Sequence, residues 1–252
     1  MVGRYALITG GSSGIGAAIA DQLAGQGANL VLVARDAAQL EQVAAGLRER
    51  HSATVLSVPL SLDQRGAPTR LMETVHEAGI EVEMLVNNAG MSSRAMVVDS
   101  DPATLRRLVD LNIGALTELT ALAVAEMVQR GHGSIVNIAS TGAYTPAPLI
   151  AAYAASKAYV LSFTQALWAE TRASGVRVVA VSPGPTQTPM NSGPARGKRH
   201  PAQVARTALA ALDGTAPAVV DGGLNRVTAF VIHMIPPRLM APLALRTMAR
   251  GR

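Results

Sequence analysis

Tyr153 and Lys157 stand four residues apart, so on a helix their phenol and ammonium share one face. Such a pair is equipped for proton transfer. The phenol can give or take a proton, and a cation beside it favours the phenolate, drawing its pKa down from a free value of about 10. Position 157 is also chemically selective: of 22 Lys and Arg residues only Lys157 and Lys198 are lysines. An ammonium is a compact point charge that can sit under a sugar hydroxyl and beside a phenol oxygen, whereas a guanidinium is a rigid planar fork. Taken alone, the same spacing also describes an amphipathic helix with a half-buried ring and a solvated amine. The neighbouring motifs separate the two readings.

At the N-terminus the apolar run Tyr5-Ala6-Leu7-Ile8 leads into Thr9-Gly10-Gly11-Ser12-Ser13-Gly14-Ile15-Gly16, and helix formers follow from Ala17 to Leu23. The pattern predicts strand, glycine turn, helix. Such a turn lets backbone approach a pyrophosphate and aims the amides and positive end of the helix at it. An ordinary glycine-rich turn packing a helix on a sheet has the same composition, and the spacing is G-x-x-x-G-x-G rather than G-x-G-x-x-G. Three more apolar runs end alike. Asn87-Asn88-Ala89-Gly90 follows Met84-Leu85-Val86, Ser140 follows residues 134–139, and Pro183-Gly184-Pro185-Thr186 follows residues 176–181. Polar and glycine residues at the carboxyl ends of parallel strands mark where open α/β sheets bind ligands. Strand-like runs near 5–9, 30–34, 55–58, 84–87, 134–139 and 176–181 alternate with helical stretches, which predicts an α/β chain with one parallel sheet covered on both faces. No solenoid-length repeat or low-complexity linker interrupts residues 1–252.

With these motifs in this order, the chain resembles the short-chain dehydrogenase/reductase family from Thr9 to the Asp221-Gly222-Gly223 region. The resemblance implies a single Rossmann-type doubly wound domain and a catalytic tetrad of Asn112, Ser140, Tyr153 and Lys157. It implies hydride transfer from NADPH to a ketone, or the reverse. Tyr153 would give its proton to the developing alkoxide, and Lys157 would lower the tyrosine pKa and hold the nicotinamide ribose. Ser140 would hold the carbonyl oxygen, and Asn112 would anchor a water joining Lys157 to solvent. Cofactor contacts are expected from Gly10, Ser12, Ser13, Gly14, Ile15 and Gly16, and from Asn88, Ala89 and Gly90 with Asn87 beside them. Pro183, Gly184 and Thr186 would line the carboxamide side, and the family pattern implies a homodimer or homotetramer. Ser140 merely capping a strand, Asn112 serving a helix kink and Ile138 as sheet core are the plainer alternatives.

The form of the cofactor turns on Ala34 and Arg35, which follow the second strand where a ribose-reading residue is expected. An acid there would bind the 2′-hydroxyl, whereas Arg35 offers a permanently charged fork suited to a 2′-phosphate, so NADP(H) is expected. The alternative leaves Arg35 solvated and gives the ribose to Asp36, but Asp36 reads as the N-cap of the next helix. After the third strand the family usually carries an aspartate that contacts adenine. Here Ser61-Leu62 takes that place, with Asp63 two residues later, and either Ser61 or Asp63 serves the adenine.

Composition removes other chemistries. Cysteine is absent, which excludes disulfides, thiolate metal sites and cysteine nucleophiles. The five histidines form no zinc-binding spacing, so no metal is expected. Residues 191–252 carry nine basic against two acidic residues, while residues 1–190 carry 13 against 15. A basic tail suggests nucleic acid or anionic lipid, but the aromatic interleaving and recognition motifs of nucleic-acid binders are missing. The start Met1-Val2-Gly3-Arg4-Tyr5 runs directly into the first strand, and no unbroken apolar stretch reaches the roughly 20 residues of a membrane span, so a cytoplasmic enzyme is expected.

The glycine-rich segment at about 186–200 occupies the family's substrate-lid position, and its cluster Arg196, Lys198 and Arg199 offers either an anion receptor or a solvated loop. The apolar and basic segment at about 227–252 would cover the substrate pocket, pack on another subunit or lie on a membrane surface. The leading expectation is an NADPH-dependent ketoreductase acting on a hydrophobic, acyl, polyketide-like or steroid-like ketone. An NADP-dependent alcohol dehydrogenase or epimerase keeps the same site, and a dinucleotide sensor without turnover is argued against by the intact tetrad.

Overall fold

A computed structural model describes residues 1–193 and 197–249. Seven parallel strands form one sheet in the order β3-β2-β1-β4-β5-β6-β7. They are β1 Tyr5–Thr9, β2 Asn29–Ala34, β3 Val55–Pro59, β4 Val82–Asn87, β5 Gly133–Ile138, β6 Val176–Ser182 and β7 Ala218–Val220. The helices are α1 Gly14–Gly25, α2 Ala37–His51, α3 Ala67–Glu77, α4 Pro102–Val109, α5 Leu116–Arg130, α6 Ala151–Thr171, α7 Pro201–Ala210, α8 Gly223–His233 and α9 Pro237–Ala249. Parallel strands require crossovers, and here helices supply them on both faces. This is the doubly wound Rossmann-type arrangement, and the six expected strands lie where the apolar runs put them. Three-residue β7 had no apolar run long enough to announce it.

Both faces of the sheet are buried, which is why its strands read as continuous apolar runs rather than alternating ones. On β1, Ala6 and Ile8 enter one core while Leu7 enters the other; on β2, Leu30 and Leu32 oppose Val31 and Val33. The first core takes Ile19 and Leu23 of α1, Leu40 and Leu47 of α2, and Ala205 and Ala208 of α7. The second takes Leu71 and Val75 of α3, Leu119, Ala123 and Met127 of α5, and Leu167 of α6. The continuous helical stretch Pro102–Arg130 is long and apolar enough by length and composition to cross a membrane. In this fold its apolar face is spent on the sheet, through those α5 side chains.

After β3 the chain returns across the sheet to place β4 beside β1, so the winding direction reverses between them. The carboxyl ends of β1 and β4 meet at this switch point, the place where the crevice of an open α/β sheet binds its ligand. The expected glycine turn follows β1 and Asn88-Ala89-Gly90 follows β4, so topology brings both to one edge.

Candidate active site

The crevice is tied shut at its base by Thr9 and Asn88. The Thr9 hydroxyl accepts from the backbone amides of Asn88 and Ala89, each at 3.0 Å, and donates to the Val86 carbonyl at 3.3 Å. The Asn88 amide donates back to the carbonyls of Thr9 at 2.9 Å and Gly10 at 3.2 Å. This crossing leaves no room for side chains on the turn. Gly10 has φ +68°, and a Cβ there would stand 2.7 Å from the Asn88 amide nitrogen, while a Cβ on Gly16 would strike the Gly10 carbonyl. Ser13 caps α1 with extended backbone and no side-chain hydrogen bond, and the first turn holds no acid. Its amides and positive helix end thus face the crevice as an anion cradle.

At the far side of the same edge, α6 presents Tyr153 and Lys157. Lys157 is 5 % exposed, and its Nζ donates to the Ile138 carbonyl at the end of β5 at 2.7 Å. Ile138 is thus core by its side chain and a lysine anchor by its carbonyl. Ser140, two residues on, has its hydroxyl accepting from the Gly142 amide at 3.1 Å, in a 3-10 turn that packs on α6. Asn112, 1 % exposed, lies in a π-helical turn at Asp110–Ala115 between α4 and α5. Its Oδ1 accepts from the Met91 amide at 2.9 Å, and its Nδ2 donates to the Met91 carbonyl and the Ser156 hydroxyl, both at 3.0 Å. Ser156 donates in turn to the Tyr153 carbonyl at 2.7 Å. A Cβ on Gly90 would stand 3.2 Å from Asn112 Oδ1 and 3.6 Å from Lys157 Nζ, so these three residues share one space. The four tetrad residues and the glycine cradle therefore occupy one end of the sheet.

The electrostatics depart from expectation in one respect. Lys157 does not draw the Tyr153 phenol down: burial raises its pKa, and hydrogen bonding to Ser140 opposes only part of that. The ammonium is turned to the Ile138 carbonyl, 5.9 Å from the centre of the tyrosine ring, and desolvation pushes its own pKa down to about 8. The phenol is protonated at neutral pH, the form that donates.

Around this centre the expected contacts divide. Arg35 is exposed just past β2, and its side chain makes no hydrogen bond or ion pair among the described residues. Asp36 caps α2 by accepting from the Gln39 amide at 3.0 Å, as its position predicted. The Ser61 hydroxyl donates to the Asp63 carboxylate at 2.5 Å, with Leu62 buried between them. Pro183 accepts from the Thr141 amide at 2.9 Å, Thr186 donates to the Gly184 carbonyl at 2.9 Å, and Asn225 packs against Gly184. Asn87, by contrast, points into the core, donating to Thr120 at 2.8 Å and to Asn137 at 2.9 Å, while Asn137 donates to Thr164 at 3.0 Å. This buried polar chain ties β4, β5, α5 and α6 beneath the site. The one signal for it was Asn137, a polar residue inside an apolar run.

Two residues of the basic cluster at about 186–200 are engaged within the fold. Lys198 donates to the carbonyls of Asn191 and Gly193, and Arg199 pairs at 2.5 Å with Asp221, which is fully buried and also accepts from Thr207 at 2.6 Å. Arg196 lies outside the described residues. At the opposite end of the sheet, Glu81, Glu83 and His132 bring three potential metal ligand atoms within 4.8 Å, but Glu83 already pairs with Arg4 and His132. That cluster is remote from the crevice edge.

These residues fit a dinucleotide: a helix start with no side-chain cap bond for its phosphates, a guanidinium past β2 with no partner among the described residues, and a glycine-cleared space beside Lys157 and Asn112. The family model for short chain dehydrogenases matches residues 4–198. The very-long-chain 3-oxoacyl-CoA reductase of Mus musculus is 32% identical over 187 residues, which are 72% of this chain and 59% of that protein's length. The bulky-bulky ketone specific alcohol dehydrogenase from Comamonas testosteroni has a similar structure, with TM-score 0.79 and 32% identity over 92% of this chain and 95% of that one. A short-chain dehydrogenase from Sphingobium yanoikuyae in complex with NADPH gives TM-score 0.82 and 31% identity over 92% and 96%. A doubly wound sheet, a glycine cradle at its switch point and these likenesses together make the chain a member of the short-chain dehydrogenase/reductase family, an oxidoreductase of CH–OH groups served by a nicotinamide dinucleotide.

Proposed function

We propose that the protein is an NADPH-dependent ketoreductase acting on a hydrophobic ketone. The observation that carries this reading is a half-buried phenol on α6, beside Ser140 and one helical turn from a lysine whose surroundings also hold Gly90 and Asn112. The bound dinucleotide supplies hydride. Tyr153 supplies the proton, which its raised pKa keeps in place until an alkoxide forms beside it. Ser140, already hydrogen-bonded to the Gly142 amide, orients the carbonyl oxygen toward that proton. Lys157 holds positive charge near the reacting oxygen, and Asn112 fixes Met91 and α6 in register so that the pair meets the crevice.

The free Arg35 side chain supports NADPH as the reductant, since it offers a 2′-phosphate a bidentate partner. The likeness to a 3-oxoacyl-CoA reductase and to a dehydrogenase of bulky ketones supports a hydrophobic substrate. A screen of NADPH oxidation over ketones of graded chain length and charge tests the reading. Turnover should be highest with long or bulky neutral ketones, and a protein that oxidises NADPH with none of them is not a ketoreductase of this class.

A further inference from the structure

Helix α8 wears its large apolar side chains on the outside. At about 100° per residue, Leu224, Val227, Phe230, Val231 and Met234 fall within an arc of about 120°. That arc faces solvent: Leu224 is 82% exposed, Phe230 70% and Met234 70%. The inward face carries Ala229, which is buried, and Asn225, whose amide donates to the Asp221 carbonyl at 2.8 Å. Helix α9 also exposes an apolar side chain, Leu239. From Gly222 to Arg252 the sequence holds no Asp or Glu and five arginines, at 226, 238, 246, 250 and 252. Apolar and purely cationic features thus occur together in one C-terminal segment.

A second copy of the chain would also cover the apolar arc, but α8 and α9 themselves offer Arg226, Arg238 and Arg246 no acid to pair with across a two-fold contact. An anionic bilayer accepts both features at once, its acyl boundary taking the leucine, valine and phenylalanine side chains and its headgroups pairing with the arginines. We infer that α8 and α9 dock the protein on an anionic lipid surface. The placement bears on access to the site, because α8 packs on the 3-10 turn after Ser140, with His233 edge-on to Tyr144 at 6.4 Å, and Asn225 abuts Gly184. Docking therefore sets the bilayer beside the edge at which a hydrophobic ketone would enter. That consequence rests on the ketoreductase reading, whereas the docking itself does not.

Vesicle flotation of the full-length protein tests the docking without any turnover. Partition onto phosphatidylcholine vesicles containing roughly 30 mol% phosphatidylglycerol should exceed partition onto pure phosphatidylcholine by about tenfold or more and should fall as salt is raised. Phe230→Asp should lower binding to the anionic vesicles by about tenfold while leaving the melting temperature, NADPH binding and mass in solution unchanged, since the side chain is exposed. No preference for anionic vesicles, or equal binding by the Phe230→Asp variant, overturns the inference. So does dissociation of an oligomer by that variant, which assigns the face to a second copy.

Discussion

At the scale of single residues, Arg35 and Lys157 make the sharpest claims. On the proposed reading, an exposed guanidinium with no partner among the described residues would gain a charge-assisted contact from a 2′-phosphate. NADPH should therefore bind at least about tenfold more tightly than NADH, and Arg35→Glu should reverse the order by repelling the phosphate. Equal affinities in a calorimetric titration of the parent would remove Arg35 from the cofactor site. Lys157 predicts a pH effect whose sign follows from its burial. Its pKa falls to about 8 in the fold from an ordinary 10.5, so between those values the unfolded chain binds the extra proton and stability rises with pH. Relative to a Lys157→Met variant, the parent should gain stability on the order of 3 kcal/mol from pH 8 toward pH 10.5, measured by denaturant unfolding. A difference that does not change with pH would place the amine in water. The glycine turn and the Tyr153–Lys157 spacing could be read because each is a short local pattern, whereas Asn112 and Ser140 entered only through the family resemblance. The direction of the tyrosine shift could not be read, because it depends on how much protein closes over the ring and on where the lysine turns, neither of which spacing records.

At the scale of elements, the π-helical turn at Asp110–Ala115 is what aims Asn112 inward. One side chain there satisfies both backbone groups of Met91 and the Ser156 hydroxyl, so it splices the loop after β4 to α6. Asn112→Ala leaves those buried groups unpaired and should destabilise the protein by about 2 kcal/mol. In a chain of this size that corresponds to a fall of roughly 4–8 °C in melting temperature by calorimetry, and an unchanged Tm would show that water fills the place without loss. Six of seven strands could be read from apolar runs, since strands buried on both faces need no alternation. Short β7 could not, nor could the pairing of Arg199 with Asp221, 22 positions apart in sequence and joined only when the lid base folds against the sheet edge. That pair ties Arg199 of the basic segment to the residue that follows β7.

Across the whole molecule, function follows from where the sheet reverses its winding. One crevice receives the capless end of α1, the loop after β4 and the face of α6, so cradle and proton donor meet without any residue of one contacting the other in sequence. On the proposed reading the Tyr153 phenol delivers the proton, and the decisive measurement is single-turnover reduction of a ketone by the Tyr153→Phe variant with NADPH. Loss of one hydroxyl at an edge-lining residue should slow the chemical step by at least about a thousandfold while NADPH affinity stays within about twofold of the parent. Reduction at the parent rate by the phenylalanine variant would contradict it.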